Sequence, residues 1–490
     1  MEIALRLDSK RKLPLRRQLY EELRGAILCG RLSAGRRIPS TRALANSLSI
    51  SRTTVSECYE DLISEGYLHA KSGSGTFVSD YLPEQSFKAT PPTATKSVLN
   101  TTRRAARLSA YGTRVLQIAR AGDVEAETAI DFTHWRPAFD HLPLRLWRRL
   151  IARHTYAAER KNFDYTEDTL GYEPLREAIA TYVGRSRAVR CEPSQVFICG
   201  GAQRAMDLIT RVLVDPNDEI AIEDPGYLGA RHIFAAQGAK LLPIAVDESG
   251  LNVNKLRSKS TAKTRFVYVS PSHQFPTGVL LSLSRRLELL SWAQEQDAFV
   301  IEDDYDSEYR YRGRPIPALQ GLDQNDRVIY VGTFSKVLFP SLRLGFVVLP
   351  QSLVEPLARA KRLTDRQSPL IEQCALADFI NEGHLERHIR RMRTLYGERR
   401  RALVDALSVH LNGSASIIGD DAGMHLMVRL ETRLGDEELI RRAGQHGVAL
   451  NSARSYYLRA KYNGEFIFGY SNLTERQIRA GIKKLSDLLV

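Results

Sequence analysis

Between Pro14 and Cys29 apolar side chains return every three or four positions, at Leu15, Leu19, Leu23, Ile27 and Leu28, which is the period of one helix face. Pro14 suits the first turn of that helix and Gly30 ends it. A shorter pattern opens at Pro39-Ser40, with Ser40 as N-cap and Leu44, Ala45 and Leu48 on the inward side. Ser51 then caps a third helix in which Val55, Tyr59, Leu62 and Ile63 repeat. Beyond it, Tyr67 to Val78 holds two short β-prone runs around Ser72-Gly73-Ser74-Gly75. Glycine allows the positive φ that a hairpin tip requires. Short helix, tight turn, longer helix and hairpin together predict a winged helix-turn-helix over residues 1–80.

The pattern fades over residues 81–128, which are rich in Thr, Ala, Pro and Arg, contain Pro91-Pro92, and have few large apolar residues before Tyr111. This span reads as a flexible linker with a short helix near Thr102–Ala110. As a flexible coil it would reach roughly 40 Å, enough for the two ends of one chain to serve different protomers of a dimer. From residue 129 to 490, apolar runs alternate with helical stretches, the runs being Val196–Cys199, Glu219–Ile222, Arg265–Val269, Ala298–Ile301, Val328–Val331 and Gly345–Leu349. That alternation predicts an α/β domain with a mostly parallel sheet. Three zones in 490 residues agree with more than one hydrophobic core.

Composition adds little beyond class. The chain is 43% hydrophobic and 26% charged, an ordinary globular balance. A net charge of +13 favours an acidic partner such as nucleic acid. Residues 1–80 carry 13 Lys and Arg against 9 Asp and Glu, so DNA affinity there would depend on placement and dimerisation more than on gross charge. The five cysteines are scattered without metal-ligand spacing, which fits a reducing compartment and predicts no metal site. No apolar run of about 18 residues and no secretory leader are evident, so a soluble, cytoplasmic protein is expected.

The first turn of the third helix carries Ser51, Arg52, Thr53, Thr54 and Ser56, donors placed where a recognition helix enters the major groove. From Pro14 to Val78 the chain resembles the GntR family of bacterial regulators. The resemblance implies operator DNA as partner, with Arg42, Ser51, Arg52, Thr53, Thr54, Ser72 and Gly73 as contacts and the two arginines foremost.

In the C-terminal zone, Val328–Gly332 leads through Thr333 and Ser335 to Lys336, then past Pro340 and Arg343 to a second strand. A lysine at a strand mouth can lose its proton and attack an aldehyde, and two hydroxyls with a guanidinium suit a phosphate monoester. The run Ala298–Tyr305 ends in Glu302-Asp303-Asp304-Tyr305. Asp303 can keep a pyridine nitrogen protonated and Tyr305 can donate to a ring oxygen, although acidic strand ends also bind metals or cap loops. Phe197–Arg204 runs from a strand through Gly200-Gly201 into a helix, aiming N–H groups at an anion. Tyr227 suits either a planar ring or the core.

Glycine cradle, aromatic, Pro276-Thr277-Gly278 turn, Asp-Asp-Tyr and Ser-Lys stand in the chain order of fold type I pyridoxal-phosphate enzymes, which residues 129–490 resemble. With the winged helix in front, the whole chain resembles the MocR subfamily of GntR regulators. The fold so implied is an aminotransferase-like domain with large and small lobes. The resemblance implies pyridoxal 5′-phosphate as cofactor, with Lys336 as Schiff-base lysine, Asp303 as pyridinium partner and Tyr305 as O3′ donor. It also implies Gly201, Ala202, Gln203, Thr333, Ser335 and Arg343 around the phosphate and Tyr227 stacked on the ring. Where aminotransferases commonly place Asn before the Pro-Thr-Gly turn, Phe275 stands, so a further O3′ bond falls to His273 or Gln274 or is absent. Arg231 and Arg454 match effector-binding arginines of relatives that sense an amino acid. The implied function is a homodimeric regulator that senses the cofactor or an amino-compound effector through an aldimine; a working aminotransferase carrying a DNA-binding domain is the alternative.

Overall fold

The computed structural model describes residues 7, 13–71, 73–82, 106–118, 129–133, 136–156, 163–313, 316–411, 413–419, 422–459 and 462–489. The chain divides into two compact units, Met1–Ala105 and Ala106–Val490.

The first unit is built on the three expected helices, α1 (Leu15–Leu28), α2 (Thr41–Leu48) and α3 (Arg52–Ser64). Pro14 sits one place earlier than expected, as the N-cap of α1, and Gly30 turns the chain away with φ +80°. Ser40 and Ser51 do cap: their hydroxyls accept from the backbone N–H of Ala43 and Thr54 at 3.2 and 3.1 Å. Leu19, Leu23, Ile27, Leu44, Val55 and Leu62 meet in one core. Leu28 does not join it and is 43% exposed, because it stands on the outer side of the last turn of α1, whose Ala26 and Ile27 take the buried positions. β1 (Leu68–Lys71) and β2 (Gly75–Val78) form the antiparallel wing, Leu68 opposite Val78, with Gly73 and Gly75 at φ +74° and +117°.

The second unit begins with helix α4 (Ala110–Gln117), later than the sequence suggests. Ser109 caps it, and Arg114 Nε donates to the carbonyl of Ala236 at 2.8 Å, so this end of the expected linker is tied down. The remainder of the expected linker, 83–105 and 119–128, lies outside the described residues.

β3 (Ile130–Asp131) is followed by the main strands β4 (Val196–Cys199), β5 (Glu219–Asp224), β6 (Lys240–Asp247), β7 (Gly250–Leu251), β8 (Thr264–Val269), β9 (Phe299–Asp304), β10 (Val328–Thr333) and β11 (Gly345–Val348). Their order in the sheet is β4-β11-β10-β9-β8-β5-β6-β7. The centre, from β10 to β6, is parallel, while β11 runs antiparallel to both of its neighbours. Helices pack on both faces, so these strands are buried on both sides and read as unbroken apolar runs. A second sheet, in the order β12-β13-β16-β15, comes from β12 (Ala415–Ile418), β13 (His425–Leu430), β15 (Asn451–Ser452) and β16 (Glu465–Gly469), with β14 (Val448–Ala449) pairing instead with β3. The start of the unit therefore returns to the smaller lobe. In an open parallel sheet the carboxyl ends of the strands form the binding crevice, and that is where the candidate residues gather.

Candidate functional site

β9 delivers two consecutive carboxylates to opposite faces, as strand alternation demands. Asp304 turns inward to the Arg187 guanidinium at 2.8 Å and the Tyr330 hydroxyl at 2.5 Å, a structural pair. Asp303 faces a cavity of about 400 Å³. Its Oδ2 accepts from Tyr268 on the neighbouring strand at 2.5 Å, and its buried Oδ1 has no hydrogen-bond partner among the described residues. Burial pushes the Asp303 carboxyl up to about 7, against the pull of the Tyr268 bond.

Lys336 stands on the same cavity. Burial brings its ammonium down to about 8, with Asp306 and Asp303 acting to raise it and Arg136 to lower it. Near neutrality such an amine is far closer to losing its proton than a solvated lysine, which suits condensation with an aldehyde.

At one end of the cavity Gly201, φ +95°, precedes the helix Ala202–Leu213. A Cβ on Gly201 would lie 3.6 Å from the Arg343 guanidinium, and one on Gly345 would come within 2.9 Å of the Cα of Gly201. Two glycines thus let three segments converge around a helix N-terminus, beside Ala202, Gln203, Thr333 and Ser335. Such a place favours an anion. Tyr227 forms another wall, edge-on to Phe275 at 5.9 Å, its hydroxyl pushed up to about 12 by burial.

These features fit pyridoxal phosphate. The buried, unpartnered Asp303 oxygen suits a cation, the glycine-lined cradle suits a phosphate, and the amine of lowered basicity lines the same cavity.

Tyr305 also lines the cavity. Its hydroxyl donates to the carbonyl of His273 at 2.9 Å and lies 3.0 Å from His273 Nδ1. Neither residue named for a further O3′ bond reaches the cavity. Gln274 turns its amide to the carbonyls of Pro225 and Phe275 and accepts from Thr277, while His273 sits behind Tyr305. Phe275 occupies the wall instead.

The two arginines named for an effector are likewise not brought to this cavity. Arg231 lies one helical turn beyond Tyr227 and lines a separate void of about 10 Å³ with Glu223 and Tyr456. Arg454 projects outward from the turn Ala453–Tyr456, in which Ala453 and Tyr456 take the buried positions. Besides Arg343, the cavity carries Arg136, which the sequence reading missed together with Thr133, Tyr268 and Pro340. Tyr268 had one available signal, its alternation along an apolar strand; Arg136 had none, because it lies in an irregular segment between β3 and the turn at Phe139–His141.

In the first unit, Arg42, Ser51, Arg52, Thr53 and Gly73 are exposed and Thr54 is half-buried. Ser51 and Thr54 share a 2.8 Å hydroxyl contact at the α3 cap, so both also hold the helix start. Ser72 lies outside the described residues. Arg37, also missed, bridges to Phe77 and lies against Gly75, where a Cβ would meet its Nε at 2.8 Å; it adds an exposed cation beside the wing.

A winged helix-turn-helix joined to a lysine-bearing fold type I unit defines a class of regulator assembled from a DNA reader and an aminotransferase-like domain. Residues 15–78 match the bacterial regulatory proteins of the gntR family, and residues 129–485 match aminotransferase class I and II. The probable rhizopine catabolism regulatory protein MocR of Rhizobium meliloti is 40% identical over 98% of this chain and 94% of its own. The HTH-type transcriptional regulator TauR of Rhodobacter capsulatus is 32% identical over 97% and 96%. Among solved structures, LysN, the alpha-aminoadipate aminotransferase of Thermus thermophilus, superposes with TM-score 0.70 at 28% identity, covering 78% of this chain and 98% of that one. The chain belongs to the MocR family of GntR-type transcriptional regulators, whose larger domain is of the pyridoxal-phosphate-dependent aminotransferase class. No helix among the described residues is long and apolar enough to cross a membrane.

Proposed function

We propose that this protein regulates transcription as a cytoplasmic homodimer, holding pyridoxal 5′-phosphate on Lys336 and responding to an amine that carries an acidic group. The observation that carries the reading is the unpartnered Oδ1 of Asp303 beside Lys336, on a chain that also presents the exposed start of a capped recognition helix. Bound there, the cofactor supplies an aldehyde carbon with which an amine can condense. The chain's part is to hold and orient: Asp303 keeps the ring nitrogen protonated, Tyr305 donates to the ring oxygen, and Tyr227 covers a ring face. Ala202, Gln203, Thr333, Ser335 and Arg343 hold the phosphate. Arg136 is placed to attract the acidic group of an effector, which would offset the opposition between its charge and that of Lys336. Tyr156, Phe163 and Tyr165 are 92%, 62% and 70% exposed, apolar area available for burial against a second copy. Two winged helices in one dimer would read two half-sites, and effector occupancy would alter their spacing.

The test is operator binding by the full chain with cofactor and candidate amines. Lys336→Ala is expected to keep basal DNA binding and to lose the response to amines. Sustained transamination at ordinary enzyme rates would overturn the sensor reading, and an undiminished response in Lys336→Ala would overturn the role of the lysine.

A further inference from the structure

Behind Tyr305 lies a buried polar cluster that the proposed binding of cofactor does not use. His273 is 2% exposed and Asp306 1%. Both carboxylate oxygens of Asp306 lie on His273 Nδ1, at 3.0 and 3.1 Å. An ionised carboxylate only accepts, so this nitrogen carries the ring proton. The same N–H faces the oxygen of Tyr305, 3.0 Å away.

Tyr305 has one hydrogen to give. Without a ligand it gives it to the carbonyl of His273 at 2.9 Å. Turned toward a ligand oxygen in the cavity, the phenol would leave its own lone pairs to the His273 N–H, and a donor onto a phenol oxygen strengthens the bond the phenol donates. Phe275, edge-on to Tyr305 at 6.2 Å, supplies no side-chain polar group to the wall beside it.

We infer that His273 and Asp306 form a positioning couple that acts through Tyr305 on the bound cofactor, setting the pH at which its absorbing form loses a proton. The surroundings suit the task. His425 at the start of β13 packs its ring 5.0 Å from that of His273, donates Nε2–H to the carbonyl of Pro276 at 3.1 Å, and is held neutral by burial and by its neighbour. The other ionisable groups whose fields reach the cluster are Asp303, Glu223 and Asp304 at Tyr305 and Lys336 at Asp306 and His425, and the buried phenols of Tyr309 and Tyr311 stand within the field of Asp306. Gly423 closes the remaining side, where a Cβ would come within 2.0 Å of His273 Cε1. The large lobe thus contributes the couple, and the small lobe fixes its place with His425 and Gly423.

The inference rests on the cavity being a cofactor site, and a double-mutant cycle on the loaded full chain tests it. The reading is the midpoint pH of the visible absorbance change of bound pyridoxal phosphate in wild type, His273→Phe, Tyr305→Phe and the double variant. Loss of donation to the ring oxygen favours the protonated form, so each single change should raise the midpoint by about one unit, roughly tenfold in proton affinity. The double variant should match Tyr305→Phe alone. His273→Leu, which fits any space that held the imidazole, replaces His273→Phe if that variant does not fold. An unmoved midpoint in the His273 variants, or a shift of the same size in the Tyr305→Phe background, overturns the inference. So does a stoichiometric divalent ion in the purified protein, since His273, Asp306 and His425 also stand close enough to surround one. If wild type takes up no cofactor, the cofactor reading fails instead.

Discussion

Replacing Asp303 by Asn isolates what the unpartnered carboxylate contributes. Its folded-state value of about 7 lies above the ordinary 3.8, so between those values the folded chain holds a proton that the unfolded chain has released. Stability of the cofactor-free protein therefore falls as pH rises through that window, and the full penalty is present above pH 7. About three units correspond to roughly 4 kcal/mol. A ring cation beside Oδ1 would cancel much of this penalty, so cofactor should stabilise wild type more at pH 8 than at pH 5. Asp303→Asn has no carboxylate to neutralise. Without cofactor it should be more stable than wild type at pH 8, by up to that amount, and the two should converge near pH 4. Its affinity for cofactor should fall at least a hundredfold. Glu223, Glu302 and Glu308 are also pushed up to about 7 by burial, so the difference between variant and wild type, and not the slope of either alone, carries the information. Denaturant titration followed by tryptophan fluorescence suits the measurement, because Trp135, Trp147 and Trp292 all belong to the second unit. Equal cofactor stabilisation at both pH values, in both proteins, would refute the reasoning.

Four further outcomes follow from the same geometry. Arg52→Ala should weaken operator binding by about 1–3 kcal/mol in a gel shift while leaving the cofactor absorbance unchanged; a normal shift would remove its assigned role. Gly345→Ala, whose Cβ would come within 2.9 Å of the Gly201 backbone, should lower cofactor affinity in a spectral titration with little effect on DNA binding. Arg136→Ala should abolish discrimination between an amine with an acidic group and the same amine without it, whereas Arg454→Ala should not, as read by amine-dependent spectral change. Leu62→Ala, fully buried in the first unit, should cost about 2–5 kcal/mol there, seen as loss of DNA binding on mild heating, without moving the tryptophan transition.

Sequence alone determined whatever rests on neighbours a few residues apart. Ser40 and Ser51 announced helix starts because a cap bonds three residues ahead, and the wing was legible because its glycines sit where φ must be positive. The central strands of the second unit showed as apolar runs because a parallel sheet is buried on both faces. Lys336 and Asp303 stood out as strand-end residues, since in such a sheet strand ends form the crevice. Tertiary structure alone decided the partners. Asp303 meets Tyr268 because β8 and β9 are adjacent, a pairing across 35 positions, whereas Asp304 is spent on Arg187, 117 positions away. Only the path of the chain around Tyr227 and the turn Ala453–Tyr456 keeps Arg231 and Arg454 off the cavity and leaves Arg136 on it. His273 was named for the ring oxygen, yet the fold places it one residue behind, against Asp306 and Tyr305. Local period and capping are written in short stretches of sequence; which side chains share a cavity depends on strand order and lobe packing, which join residues hundreds of positions apart.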